Sequence, residues 1–476
     1  MSLAAHLADK GFEVEVYEKN ESPGGKVRLY INDGFTFDLG ATVYFFPEIF
    51  DRFFNKFNHS ASDFYTLKKL NPTYRIFIGS KNYFDIPVNK QELLQLSESF
   101  EKGGADEMKR YLNHAENSYN YFRDEILTNP VLDYKKHVKR SWLHAFISRK
   151  KHQKYVRNHF KSYQLNALLL FPLPFLGAVP DFSPDHTMIA NYALLTNGIF
   201  YPEGGMHRVE EALSAVLREM KVPVHLSSEV KSFDIIGESV SGILTHQKNF
   251  HADLFASAMD YHHTEQLLGK GYRNYHNAVW KSRSIIPSVL IFYIGFGKKL
   301  RNLLHYNLII SDGFDFVPKE SVKIKSDHST CLILLTCSSK SDPDKAPEGM
   351  DNLIARITIP PGLEDTGKMR EHYFTILMDR LEKITGQRLR KEMVVKKSFA
   401  LNDFEKDYYS YRGQILGALN SIRASMFWSP RVRNKHLSNL YYAELPNILG
   451  PGMASSLLTG EMIAQCMTQD YYKKNK

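Results

Sequence analysis

Cysteine is nearly absent: the 476 residues include only Cys331, Cys337 and Cys466. Three thiols cannot build a disulfide framework and their spacing matches no zinc pattern, so a disulfide-stapled fold is excluded and a reducing compartment is expected. Long apolar runs are missing as well. The most apolar stretch, LNALLLFPLPFLGAVP at 165–180, is broken by Pro172, Pro174 and Pro180, whereas a spanning helix needs about 20 apolar residues without such breaks. No basic-then-apolar leader is evident, so no secretory signal is expected and the anticipated location is cytoplasmic. Internal repeats and low-complexity linkers are lacking too.

Acidic residues are missing from one long segment. Between Tyr134 and Pro180 there is no Asp or Glu, while Lys135, Lys136, Lys139, Arg140, Arg149, Lys150, Lys151, Lys154, Arg157 and Lys161 accumulate, within a chain of formal charge +9. Trp142, Leu143, Phe146 and Ile147 lie among them. Two readings stand for the stretch 135–180. One is peripheral docking on a membrane surface, where each basic residue contributes about 1 kcal/mol beside anionic lipid. The other is a solvated helix face followed by a buried core segment. No nucleic-acid motif accompanies the charge, so no nucleic-acid partner is expected.

What is present is a packed globular chain, with 43% hydrophobic and 24% charged residues, long enough for two domains or for one nucleotide-binding domain with a large insertion. Leu3 to Lys10 has a short helical pattern capped by Gly11, and Phe12 to Tyr17 alternates as a strand that Glu18 closes. After NESPGGK, the runs RLYI and FTFD flank Asn32-Asp33-Gly34, a hairpin turn sequence. Residues 91 to 170 are mostly helical in composition. In YPEGGMHRVEEALSAVLREM, the residues Val209, Leu213, Val216, Leu217 and Met220 share one helical face, before strands expected at 222–226 and 229–236. The chain ends in an apolar strand, a Gly/Pro loop and a closing helix.

Glu18 ending a strand, Gly24-Gly25-Lys26 after it, and GFTFDLGAT at 34–42 together resemble the FAD-binding opening of the phytoene desaturase family, within the wider amine-oxidase-like flavoproteins. The resemblance continues through FYPEGGMHRVEEAL at 200–213, ASAMDYHHTEQLL at 256–268, SVLIFYIGFGKKL at 288–300, APEGMDNL at 346–353 and the C-terminal strand-loop-helix. It implies an α/β fold: a Rossmann-like FAD-binding domain, a mixed α+β substrate domain and a helical, membrane-associated insertion. The expected segments are FAD-binding residues 1–90, 186–262 and 426–476, a helical insertion at 91–185 and a substrate-binding domain at 263–425.

The resemblance also assigns roles. Glu18, followed by Lys19, would accept hydrogen bonds from the adenosine ribose, since a carboxylate offers two acceptors to vicinal hydroxyls. Gly24 and Gly25 would let backbone amides approach the pyrophosphate, with Lys26 supplying positive charge. Gly40, Ala41 and Thr42 would bring backbone close to the isoalloxazine ring. Val230 would meet the adenine, although a valine in a strand needs no ligand to explain it, and Ala258, Met259 and Asp260 would lie near the nucleotide half. Gly452 and Met453 would open the last helix toward the flavin.

Two departures from the family pattern stand out. Glu444 occupies the position of a strand-ending glycine, and Ile448, Leu449 and Pro451 replace His, Pro and a glycine of the loop that follows. The family's opening strand and Gly-x-Gly-x-x-Gly turn are also not in the sequence. Met1 falls about where the residue after the third glycine would be, so either the start lies roughly 15 codons upstream or the phosphate cradle is lost. The retained Glu18, Gly24 and Gly25 favour an upstream start.

The resemblance implies an FAD-dependent carotenoid desaturase that removes hydrogen from a long apolar polyene, an abundance of Phe and Tyr suiting a hydrocarbon tunnel. A carotenoid isomerase, a retinol-saturase-like reductase, a polyene oxidase and a lipid-binding relative without flavin are the alternatives. No catalytic residue is assigned from sequence. His186, His207, His262 and His263 are conceivable proton relays, and the spacing of His251, His262 and His263 supports no metal site.

Overall fold

A computed structural model describes residues 1–79, 82–126, 152, 154–170, 184–246, 249–282, 288–311, 332–360, 362–414, 431–445 and 452–474. The basic run 135–151, the apolar run 171–180 and the loop residues Ile448, Leu449 and Pro451 lie outside the described residues.

The hairpin expected around Asn32-Asp33-Gly34 is present. Strands β2 (Leu29–Asn32) and β3 (Phe35–Asp38) pair antiparallel, and both Asp33 (φ 48°) and Gly34 (φ 78°) take the positive φ that a tight two-residue hairpin turn demands. The strand anticipated over 12–17 is shorter, β1 (Val16–Tyr17), because its parallel partner β8 supplies only Val224–His225. A second parallel pair joins β12 (Phe255–Ser257) to β18 (Leu440–Tyr442). Beside them, β9 (Val230–Ile236), β10 (Ser239–Thr245) and β11 (Asn249–His251) form an antiparallel meander.

Helix α1 (Ser2–Asp9) ends before Gly11, whose φ of 83° suits a left-handed stop. It packs on the C-terminal helix α12 (Met453–Lys474), and the close approach rests on Gly460. A Cβ there would meet Leu3 N at 2.6 Å. Ser2 Oγ donates to Leu457 O at 2.8 Å across the same contact.

The largest sheet has seven strands in the order β17 (Met393–Phe399), β13 (Ser288–Phe296), β16 (Asp351–Ile359), β15 (Leu332–Thr336), β14 (Tyr306–Ile310), β5 (Tyr74–Ile78) and β6 (Asn82–Ile86). Only β14 and β5 run parallel. All of β14 and β15 is buried, as continuous apolar strands covered on both faces should be. One face is closed by α10 (Gly367–Thr385), whose Tyr373, Phe374, Leu377, Met378 and Leu381 pack on Leu290, Phe292 and Ile294. On the other face Ile291, Tyr293 and Ile354 receive Phe35 and Phe37 of the hairpin. Gly295 makes room for this, since a Cβ would lie 2.7 Å from the Phe35 ring. The sheet thus brings the hairpin, a piece of the expected cofactor region, onto strands from the 263–425 segment.

Helices α2 (Pro47–Lys56), α3 (Lys90–Phe100), α4 (Gly104–Tyr121), α5 (Tyr163–Leu170), α6 (Pro184–Tyr192) and α7 (His207–Glu219) contribute to one aromatic-rich core with Tyr44, Phe46, Phe50 and Phe54. Helix α7 buries Val209, Leu213, Val216 and Leu217, the face its periodicity predicts. Among the described residues no helix is long and apolar enough to cross a membrane.

Candidate active site

The N-terminal half of the site is a stack of two loops. Leaving β1, Glu18 donates its amide to His225 O at 2.9 Å and accepts from Ser228 N at 2.8 Å. Its carboxylate Oε1 accepts from both Asn20 N (2.9 Å) and Asn20 Nδ2 (2.8 Å). The side chain is therefore oriented by its own loop. Lys19 turns toward the 407–409 segment, 3.8 Å from Asp407 and 5.2 Å from the Tyr409 ring centre.

The two adjacent glycines do different work. A Cβ on Gly24 would meet Glu210 Cγ at 2.5 Å and Val27 O at 2.6 Å, so this glycine lets the turn sit against α7. Gly25, at φ 60°, has no atom of the described residues within 4 Å of where a Cβ would be. Only Gly25 offers the clearance that a close backbone approach to a ligand uses. Lys26 follows, its Nζ 3.5 Å from Glu444 Oε1.

Under this turn lies the Gly40-Ala41-Thr42 loop. Gly40 has φ 76°, and a Cβ there would collide with the carbonyl of Lys26. Arg356, from β16, donates through Nη2 to Gly40 O at 2.7 Å and through Nη1 to Thr42 Oγ1 at 2.5 Å. Tyr306 donates to Thr42 O. Burial lowers the Arg356 pKa from its usual value, and Tyr293, Tyr306 and Asp38 act in the opposite direction. Asp38 accepts from His207 N and faces His207 Nδ1, each at 3.4 Å.

Beside this loop His305 is buried, and both of its ring nitrogens lack a hydrogen-bond partner among the described residues. Burial pushes its pKa down to about 3, so the ring is neutral. It packs between Tyr201 at 4.7 Å and Tyr306 at 4.3 Å. Sequence reasoning missed Arg356, Tyr306 and His305. The signal for Arg356 was a lone cation inside the apolar strand DNLIARITI, a position that calls for buried partners.

The second half of the site gathers around α8 (Tyr261–Gln266). Asp260 caps this helix, accepting from His263 N at 3.0 Å and from Tyr411 N at 3.4 Å. Glu444, just past β18, accepts from Tyr261 N at 3.0 Å. Burial first, and then the Glu444 charge, raise the Asp260 pKa to about 7. Lys26, Asp260 and Glu444 are thus brought together. Val230 begins β9 and packs against the buried cluster that contains Val240, Ile243 and Phe255. Among the described residues, Gly452 has no atom within 4 Å of where a Cβ would be, and Met453 starts α12.

The residues fit a dinucleotide where Gly25 and Gly452 leave open space and where Glu18 holds a carboxylate at a strand end. The histidines considered as relays are engaged elsewhere where their side chains are described. His207 faces Asp38, His263 stacks on Tyr409 at 4.1 Å, and His262 packs on Tyr411 at 4.2 Å. No group of three or more His, Cys, Asp or Glu residues among the described ones could hold a metal.

Residues 1–443 match the family described as flavin containing amine oxidoreductase. The chain belongs to this family. It is an FAD-dependent oxidoreductase with the Rossmann-like α/β fold expected of such enzymes. It is 28% identical over 480 aligned positions to the carotenoid 3,4-desaturase of Haloarcula japonica, covering 99% of this chain and 96% of that protein. Similarity to a 4,4'-diaponeurosporene oxygenase of Staphylococcus aureus is 25% over 502 positions, covering 100% and 97%. Among solved structures, an oxidoreductase from Methanosarcina mazei aligns with a TM-score of 0.62 at 15% identity, covering 98% of this chain and 97% of that one. A fatty acid isomerase from P. acnes aligns at 0.61 with 12% identity, covering 98% and 95%. These structural likenesses bear on the fold.

Proposed function

We propose that the enzyme modifies carotenoids, dehydrogenating a long apolar polyene as a desaturase of the phytoene type does. The observation that carries this reading is the end-to-end relationship with a carotenoid 3,4-desaturase. Bound FAD supplies the hydride acceptor for such chemistry. The chain's own part is to position and to exclude water. Arg356 and Tyr306 fix the Gly40–Thr42 loop, and the rings of Tyr44, Phe46, Phe50 and Tyr119 form a buried aromatic wall next to it. In the structure these rings stack on one another, Tyr44 on Phe50 at 4.1 Å and Phe46 on Tyr119 at 6.2 Å.

The oxygenase relative favours a second reading, oxidation of a polyene at its end rather than along its chain. Expression in cells that accumulate phytoene, and in cells that accumulate a more unsaturated acyclic carotenoid, separates the two by pigment chromatography. Products with longer conjugation support the desaturase. Oxygenated products of unchanged conjugation overturn it in favour of the second reading, and unchanged pigments in both hosts overturn the carotenoid assignment. An apolar substrate also gives the basic stretch 135–161 a use, peripheral attachment to an anionic membrane surface. Its described members Lys154, Arg157 and Lys161 are exposed, while Val156 and Phe160 are buried.

A further inference from the structure

The cluster of Lys26, Asp260 and Glu444 carries a surplus negative charge when all three side chains are ionised. Two carboxyls face one ammonium. Glu444 Oε1 lies 3.5 Å from Lys26 Nζ, while its Oε2 accepts from Tyr261 N at 3.0 Å. Asp260, buried at the adjacent position, is bound by the amides of His263 and Tyr411. Among the described residues, the other groups packed around it do not supply the missing positive charge. The His263 ring stacks on Tyr409, and burial lowers its pKa, so it is neutral. His262 lies against Trp280 and Tyr411, and the Arg412 guanidinium is 5.2 Å from the Tyr411 ring. Lys19 and Lys231 are committed to Asp407 and Glu229.

We propose that Asp260 is the proton-accepting member of the cluster it forms with Glu444 and Lys26, and that FAD binding draws one proton from solvent onto its carboxylate. This rests on the reading that these three residues lie along the bound cofactor. With both carboxylates ionised, Glu444 neutralises Lys26 and the surplus negative charge opposes a diphosphate. With Asp260 protonated, the three side chains sum to zero: Glu444 still balances Lys26, and no surplus negative charge meets the anion. Such linkage makes affinity depend on pH above the Asp260 pKa, and its value of about 7 puts that dependence in an accessible range.

The test is calorimetric titration of the flavin-free full chain with FAD from pH 6 to 8.5, in buffers of differing ionisation enthalpy at constant ionic strength. The expected result is uptake of about one proton per FAD at pH 8 and a Kd that rises toward tenfold per pH unit above about 7. Glu444→Gln keeps an acceptor for Tyr261 N but removes the charge. It should bind FAD more tightly than wild type at pH 8, with a flattened pH profile. Asp260→Asn, which can still cap α8, should do the same. A wild-type Kd constant over this range, or no proton uptake, overturns the proposal whether or not the variants fold. Absence of FAD binding at every pH, by contrast, removes the placement of the cofactor on this chain and the coupling with it.

Discussion

Arg356 Nη1 and Thr42 Oγ1 are 2.5 Å apart, joining the middle of the large sheet to the loop that carries the expected isoalloxazine contacts. The guanidinium also binds Gly40 O at 2.7 Å, so one side chain fixes both ends of a three-residue loop. Arg356→Met should leave the Gly40 carbonyl without this donor and cost about 1–3 kcal/mol of stability. It should also lower flavin occupancy. Arg356→Lys should recover only part of either, because an ammonium cannot reproduce the planar fork. Chemical denaturation and flavin absorbance per mole of protein check both outcomes; an unaltered occupancy in Arg356→Met would detach the loop from cofactor binding.

Gly40 and Gly25 make a matched pair of tests. Gly40→Ala forces a Cβ into the Lys26 carbonyl, and the loops must separate, with an expected loss above about 2 kcal/mol. Gly25→Ala meets no atom of the described residues, so its positive φ is the penalty, about 1–2 kcal/mol. The larger effect of Gly25→Ala should be on FAD affinity. Equal denaturation midpoints for the two variants would contradict this assignment.

Glu18→Ala should reduce FAD occupancy, through loss of the expected ribose acceptor. It also frees Asn20, whose amide and side chain both bind Oε1, and should lower stability by about 1 kcal/mol. Unchanged flavin stoichiometry would argue against the ribose role.

His305 predicts a pH effect. Its folded pKa is about 3, against about 6.5 in an unfolded chain, so below 6.5 the unfolded state takes up a proton that the folded state refuses. Its contribution to stability is therefore complete above pH 6.5 and declines as the pH falls toward 3. His305→Leu should shallow the loss of stability between pH 7 and 4, and should raise stability at pH 7 by removing two buried nitrogens that no described residue partners. His6 and His152, both lowered to about 4 by burial, leave a residual slope. Denaturation midpoints at four pH values would decide; identical slopes in variant and wild type would rule the effect out.

Neutralising Arg149, Lys150 and Lys151 together should weaken sedimentation with phosphatidylglycerol vesicles, more at low salt than at high salt. Co-sedimentation equal to wild type at both would remove the argument for membrane attachment drawn from this charge.

Local grammar made part of this molecule legible in advance. Asn32-Asp33-Gly34 marks its own turn, and the periodicity of 207–219 marks the buried face of its helix. Strand pairing was harder, since the extent of β1 depends on β8, a partner that Phe12 to Tyr17 cannot reveal. Arg356 and His305 were missed for a related reason. His305 looks ordinary in its own segment and Arg356 is marked there only as a lone cation, so the partner of each, Tyr201 or Thr42, is known only from far away in the chain. The meeting of Lys26, Asp260 and Glu444 is of the same kind. Glu444 stood out as a departure from a family pattern, but its partners could be known only from the fold.

The single parallel contact in the large sheet, between β5 and β14, has a consequence for biogenesis. Strand β5 sits between β6, its hairpin partner, and β14, with Ile76 opposite Leu308. During synthesis the hairpin emerges early, with one long apolar edge unpaired until the ribosome has passed residue 310. An edge left open for that interval is a template for wrong pairing, and closure over such a distance is slow. Production of this enzyme should therefore be limited by chaperone capacity while the chain is still growing.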